Sequence, residues 1–137
     1  MAAITIRSSV KAGLDKAWDY YNTPEHIQQW NAAHESWHCP KAENDLREGG
    51  RFCYRMEARD GSFGFDFTGV YDRITFKASF SYTMDDQRKV TVAFLPEGEG
   101  QTEIVVVFDP EAQNPVAMQE QGWQAILDNF TNYVETH

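Results

Sequence analysis

Between Asp45 and Ile74 the chain reads DLREGGRFCYRMEARDGSFGFDFTGVYDRI, and its side chains alternate with a period of two. Phe52, Tyr54, Met56 and Ala58 share one parity, while Arg51, Arg55, Glu57 and Arg59 share the other. Further on, Phe63, Phe65, Phe67 and Tyr71 alternate with Gly64, Asp66, Thr68 and Asp72. Successive strand residues point to opposite faces, so this pattern predicts two antiparallel strands with one aromatic and one wet face. Asp60-Gly61 between them predicts a tight turn, because Gly adopts positive φ without a steric penalty. The centre of the fold is therefore expected to be a curved sheet with an aromatic inner face.

Elements on either side follow from the same periodicities. Ile4, Ile6 and Val10 predict a short first strand, broken at Gly13. A short helix follows, with Asp15 as its expected cap and Trp18 and Tyr21 at helical spacing. Pro24 opens a second helix that carries Ile27 and Trp30. From Asn31 to Glu43 the pattern is irregular and predicts a loop that lines an opening. Phe80, Tyr82 and Met84, then Val90, Val92 and Phe94, then Ile104, Val106 and Phe108 predict the remaining strands. From Pro115 onward Trp123, Ile126, Leu127, Phe130 and Val134 form one apolar stripe of a long helix.

A curved sheet cannot bury its own concave face, and the terminal helix is the element long enough to cover it. The expected fold is thus α+β, one domain over residues 1–137, with a sheet of about six or seven strands gripping the last helix. A helix standing off a curved sheet leaves room for a cavity. Gly122 in mid-helix either withholds side-chain volume there or permits close packing. Val105 and Val107, apolar on the outer parity of the last strand, are candidates for a homodimer surface.

A net charge of -9 with no basic run argues against a nucleic-acid partner. No apolar run reaches the length of a membrane span, and the amino terminus lacks the pattern of a secretory signal. Only Cys39 and Cys53 are present, which suits reduced thiols in a cytoplasmic protein.

The stretch from Asp45 to Ile74, preceded by Trp37-His38 and followed by Gln121-Gly122-Trp123, resembles bacterial homologues of the activator of heat shock protein 90 ATPase. Asp45-Leu46-Arg47 with Gly49-Gly50, Asp60-Gly61, and Gly69 with Tyr71 carry the resemblance most specifically. That family belongs to the START-like, or SRPBCC, helix-grip superfamily, which also holds the birch pollen allergen and polyketide cyclases. The resemblance implies a deep, mostly apolar cavity between sheet and helix, of the kind used for lipids, sterols and polyketides. Chaperone activation belongs to a eukaryotic relative in which a separate domain precedes this one. That domain is not expected here.

His34-Glu35-Ser36-Trp37-His38 spells the zinc-protease pattern, which needs both His on one helical face and a third ligand. Pro40 disfavours helix just after it, so no metal site is expected. His38 is read first as a structural side chain and second as an acid, base or hydrogen-bond donor at the cavity mouth. Asp45 with Arg47 is read as architecture before a Gly-Gly bend rather than as an anchor for an acidic ligand.

The expected function is binding of a small hydrophobic molecule, lipid-like, polyketide-like or aromatic, with no cofactor and no catalytic residue. Tyr54, Tyr71 and Tyr82 are the expected polar groups of the cavity, since a buried phenol needs a partner. Trp30, Phe65, Phe67, Trp123 and Phe130 are its expected walls, with Trp37 and His38 beside the entrance. The alternatives are a chaperone-interaction module, betrayed by an exposed outer surface, and a cyclase-like enzyme, betrayed by an inward ionisable group.

Overall fold

A computed structural model describes residues 2–137. Strand β1 (Ile4–Val10) leads into helices α1 (Leu14–Asn22) and α2 (Pro24–Trp30). Strands β2 (Trp37–Asn44), β3 (Arg51–Ala58), β4 (Gly64–Thr75), β5 (Ser79–Met84), β6 (Lys89–Pro96) and β7 (Thr102–Phe108) follow, and α3 (Val116–Thr136) closes the chain. The strands form one antiparallel sheet in the order β1-β7-β6-β5-β4-β3-β2, wrapped on α3 in the helix-grip arrangement. Closing β1 onto β7 joins the two ends of the chain through one ladder, Ile4 opposite Phe108 and Val10 opposite Thr102.

The central hairpin sets the curvature. Phe52 lies opposite Gly69, and a Cβ on Gly69 would stand 2.8 Å from the Phe52 ring and 2.7 Å from the Thr83 carbonyl oxygen. Only glycine lets the ring cross the sheet surface there. A register shift between Tyr71 and Arg73 then bends β4 and turns both Tyr71 and Ile74 toward the core.

Three local expectations are corrected. Residues placed in a loop from Asn31 to Glu43 contain β2, an edge strand paired with β3, with an irregularity between His38 and Lys41. Pro40 is tolerated because an edge strand needs no donor on its free side, and the irregularity conceals the alternation. Asp15 does not cap α1; the chain enters it at Gly13, with no side-chain cap. The hairpin loop is wider than a two-residue turn: Ala58 N–H donates to the Phe63 carbonyl at 2.9 Å, which leaves Phe63 beyond the strand and 62% exposed.

Candidate functional site

Between α3 and the concave face of β3, β4 and β5 lies a cavity of about 530 Å³. Its floor consists of the side chains that the alternation turns inward: Phe52, Tyr54 and Met56 from β3, Phe65, Phe67 and Tyr71 from β4, and Phe80, Tyr82 and Met84 from β5. Its roof is Trp123, Ile126 and Leu127 of α3, and its inner end is Tyr21, Asn22, Trp30 and Asn31 from the two short helices. Trp123 lies flat on Phe108, with centroids 4.0 Å apart and planes 7° apart, which fixes the roof against β7.

The mouth has a topological cause. Pairing between β4 and β5 begins at Gly69 and Met84, so residues 64–67 run beside β3 alone. Exposed Asp66, Asp85, Asp86 and Asn114, with half-buried Arg88 and Glu111, bound the opening. Gln119 steadies its far rim. The side chain is buried and accepts from Glu111 N–H at 2.8 Å while donating to the carbonyls of Glu111 and Asn114 at 3.0 and 2.9 Å.

A chain of polar groups enters the cavity from one side. Asn44 Nδ2 donates to the Asn22 carbonyl at 2.8 Å and to Tyr71 Oη at 3.3 Å, and the Tyr71 and Tyr54 hydroxyls lie 3.4 Å apart. Burial pushes the phenols of Tyr21, Tyr54, Tyr71 and Tyr82 upward, so each stays protonated near neutral pH. Neutral phenols donate hydrogen bonds. They do not serve as general bases at that pH.

The structure brings Trp30, Tyr54, Phe65, Phe67, Tyr71, Tyr82 and Trp123 together around the cavity. It places Trp37, His38 and Phe130 elsewhere. Trp37 packs at 6.0 Å on both Phe63 and Phe65, outside the mouth. His38 stands on β2 with Nε2 3.9 Å from Glu57 Oε1. Phe130 is wholly buried behind the inner end, with Tyr21 at 4.9 Å and Trp30 at 5.1 Å. His34 hydrogen-bonds Ser36 in an exposed turn, so the two His of the zinc-protease pattern share no helix. Asp45 and Arg47 pair at 2.7 Å on the surface, before the Gly49-Gly50 bend.

Sequence reasoning missed Tyr21, Asn44, Arg88, Glu111 and Gln119. Met56 and Met84 also line the cavity and were not among the expected site residues, although their inward parity was the signal that points to them. Arg88 and Glu111 lie in irregular segments where no period applies. Val105 and Val107 are half-buried on the convex face. Among the described residues no helix is long and apolar enough to cross a membrane.

An AHSA1-like protein from Aeromonas hydrophila is similar over 97% of this chain and 93% of its own, with 42% identity and a TM-score of 0.88. A Cytophaga hutchinsonii protein is 46% identical over 98% of this chain and 92% of its own, with a TM-score of 0.85. A Chromobacterium violaceum protein shares the fold at 22% identity and a TM-score of 0.86, covering 98% of this chain and 99% of its own. No curated protein matches the chain. Residues 11–135 match the family described as Activator of Hsp90 ATPase homolog 1-like protein, and the chain belongs to that family.

Proposed function

We propose that the protein binds a small hydrophobic molecule, aromatic or lipid-like, in the cavity between sheet and α3. The observation that carries this reading is the cavity itself: about 530 Å³, walled by aromatic rings and opening through a gap in the sheet. Protein interiors are close-packed, and a void of that size forfeits dispersion contacts along its whole lining. A ligand restores those contacts. The inner phenols add hydrogen bonds that orient it, as in apolar pockets with a few convergent polar groups. The thiols of Cys39 and Cys53 are free, which suits the cytoplasmic location proposed here.

Native mass spectrometry of protein purified from its own host tests this, by comparing masses under gentle and denaturing conditions. A defined released mass supports the reading. Empty protein that also fails to bind hydrophobic probes sinks it. A second reading, contact with a chaperone or a second copy, draws on the exposed ridge of Phe63 and Phe65 beside Trp37. The cyclase reading draws no support from the phenols, which are held as acids rather than bases.

A further inference from the structure

The charged groups at the cavity mouth are already occupied by protein partners. Asp66 pairs with Arg55 at 3.3 Å, Asp85 with Arg51 at 3.2 Å and Asp86 with Arg88 at 2.7 Å, while Glu111 accepts from the backbone N–H groups of Gln113 and Asn114 at 2.9 Å. Among the described residues no other side chain of the lining carries a charge at neutral pH. Polar recognition of a ligand therefore falls to the deeper groups.

Deeper in, the phenols hold more protons than the protein accepts. The hydroxyls of Tyr54 and Tyr71 lie 3.4 Å apart with one proton between them, and Asn44 Nδ2 donates to Tyr71 at 3.3 Å. Two hydroxyls carry two protons, so whichever way that bond points, the second proton has no acceptor among the described residues. Tyr21 and Tyr82 add one more each, since no described residue hydrogen-bonds either hydroxyl. Yet no side-chain oxygen or nitrogen among the described residues is both sealed off and unpaired, so both oxygens open onto the cavity that their rings line. These phenols stand together. Tyr71 lies opposite Tyr82 on the β4–β5 ladder, and the Phe80 ring is 5.8, 6.0 and 6.3 Å from the rings of Tyr21, Tyr71 and Tyr82. Burial first, and then repulsion from Tyr71, raises Tyr21 and Tyr54, so the cluster offers donors without charge.

A carbonyl oxygen presents two lone pairs to such a cluster and brings no proton of its own. A carboxylate at that depth loses its water with no cation beside it, and a hydrocarbon leaves the donors unpaired. Resting on the reading of this cavity as a ligand site, we infer that its occupant is an uncharged hydrophobic carbonyl compound, such as an aryl ketone, whose oxygen is buried among Tyr21, Tyr54, Tyr71 and Tyr82. The test titrates the full chain calorimetrically with acetylnaphthalene, ethylnaphthalene and naphthoate, which share one ring system and differ at one substituent. The ketone is expected to bind about tenfold or more tighter than naphthoate. In the double variant Tyr21→Phe/Tyr82→Phe its affinity is expected to fall about tenfold while that of ethylnaphthalene changes less than about twofold, which separates lost donors from lost fold. The infrared carbonyl stretch of the ketone bound to the parent protein needs no variant, and it is expected below its frequency in alkane solvent because hydrogen bonding lowers it. A stretch at the alkane frequency, a ketone affinity indifferent to the double variant, or tighter naphthoate overturns the carbonyl assignment and leaves the hydrophobic-ligand reading standing. Binding of none of the three overturns both.

Discussion

The two halves of α3 continue one apolar stripe into opposite surroundings. Toward the C-terminus Phe130 and Val134 are fully enclosed, packed against β1 and the short helices. That end is also tied by polar contacts: Tyr133 Oη lies 2.7 Å from His26 Nδ1, and His26 stacks on Tyr20 with centroids 3.8 Å apart. Toward the N-terminus Trp123 and Ile126 face empty space across from β3, β4 and β5. The difference arises from what stands opposite. Trp18, Tyr21 and Trp30 fill the packed end, and no equivalent layer separates α3 from the sheet at the hollow end. A fold of this kind tolerates a void because stability is concentrated at one end and binding capacity at the other.

Removing the ring at the packed end should produce the largest effect. Phe130→Ala deletes a fully buried aromatic side chain in contact with Trp30 and Tyr21, and is expected to cost about 3–5 kcal/mol in urea unfolding. A loss under 1 kcal/mol would show that the two ends are packed alike. Alkaline unfolding probes the hollow end instead. Tyr54, Tyr71 and Tyr82, the phenols at the hollow end, have folded pKa values raised by burial, so their contribution is full below the unfolded value and is lost as pH rises through the folded ones. Stability should therefore fall above about pH 10, by about 1.4 kcal/mol per pH unit for each phenol that titrates only in the unfolded chain. Tyr82→Phe should lessen that slope.

These two ends also differ in how legible they were. The strands, the long helix and the inward parity of Phe52, Tyr54, Phe67 and Tyr82 follow from alternation, because period two assigns a face without any knowledge of the partner. The terminal stripe of Phe130 and Val134 is equally plain. What alternation cannot assign is depth. Phe130 and Trp123 belong to one stripe, yet one is core and the other roof, because the distance between helix and sheet is set by the bulky residues of α1 and α2. Phe63 shows the limit at a strand end, where parity points inward but the loop has already left the sheet. Edge strand β2 escaped detection because Pro40 and the irregular pairing around it interrupt the only available signal.

A smaller contrast lies within the phenols. Tyr71 Oη receives a hydrogen bond from Asn44, whereas the Tyr82 hydroxyl faces the cavity. Tyr71→Phe should cost about 1 kcal/mol, since it strips the Tyr71 partner from Asn44 and Tyr54. Tyr82→Phe should change unfolding by less than about 0.5 kcal/mol and show its cost in ligand affinity instead. Equal losses of stability in the two variants would mean that Tyr82 is as much a part of the packed structure as Tyr71.

Gly122 gives a small effect of the opposite sign. A Cβ built there meets no heavy atom within 4 Å, so close packing does not explain a glycine in the middle of α3. Gln119 and Ile126, one turn to either side on the same helical face, both line the cavity. Alanine at this position removes backbone freedom from the unfolded chain and adds a methyl group where nothing obstructs it. Gly122→Ala should therefore raise stability by about 0.5–1 kcal/mol in urea or thermal unfolding. Because Gln119 and Ile126 on the same helical face line the cavity, the same variant is expected to bind the ligand more weakly than the parent protein. A gain in stability with undiminished affinity would place the open space at Gly122 outside the ligand's volume, whereas destabilisation would mean that this half of the helix is already filled.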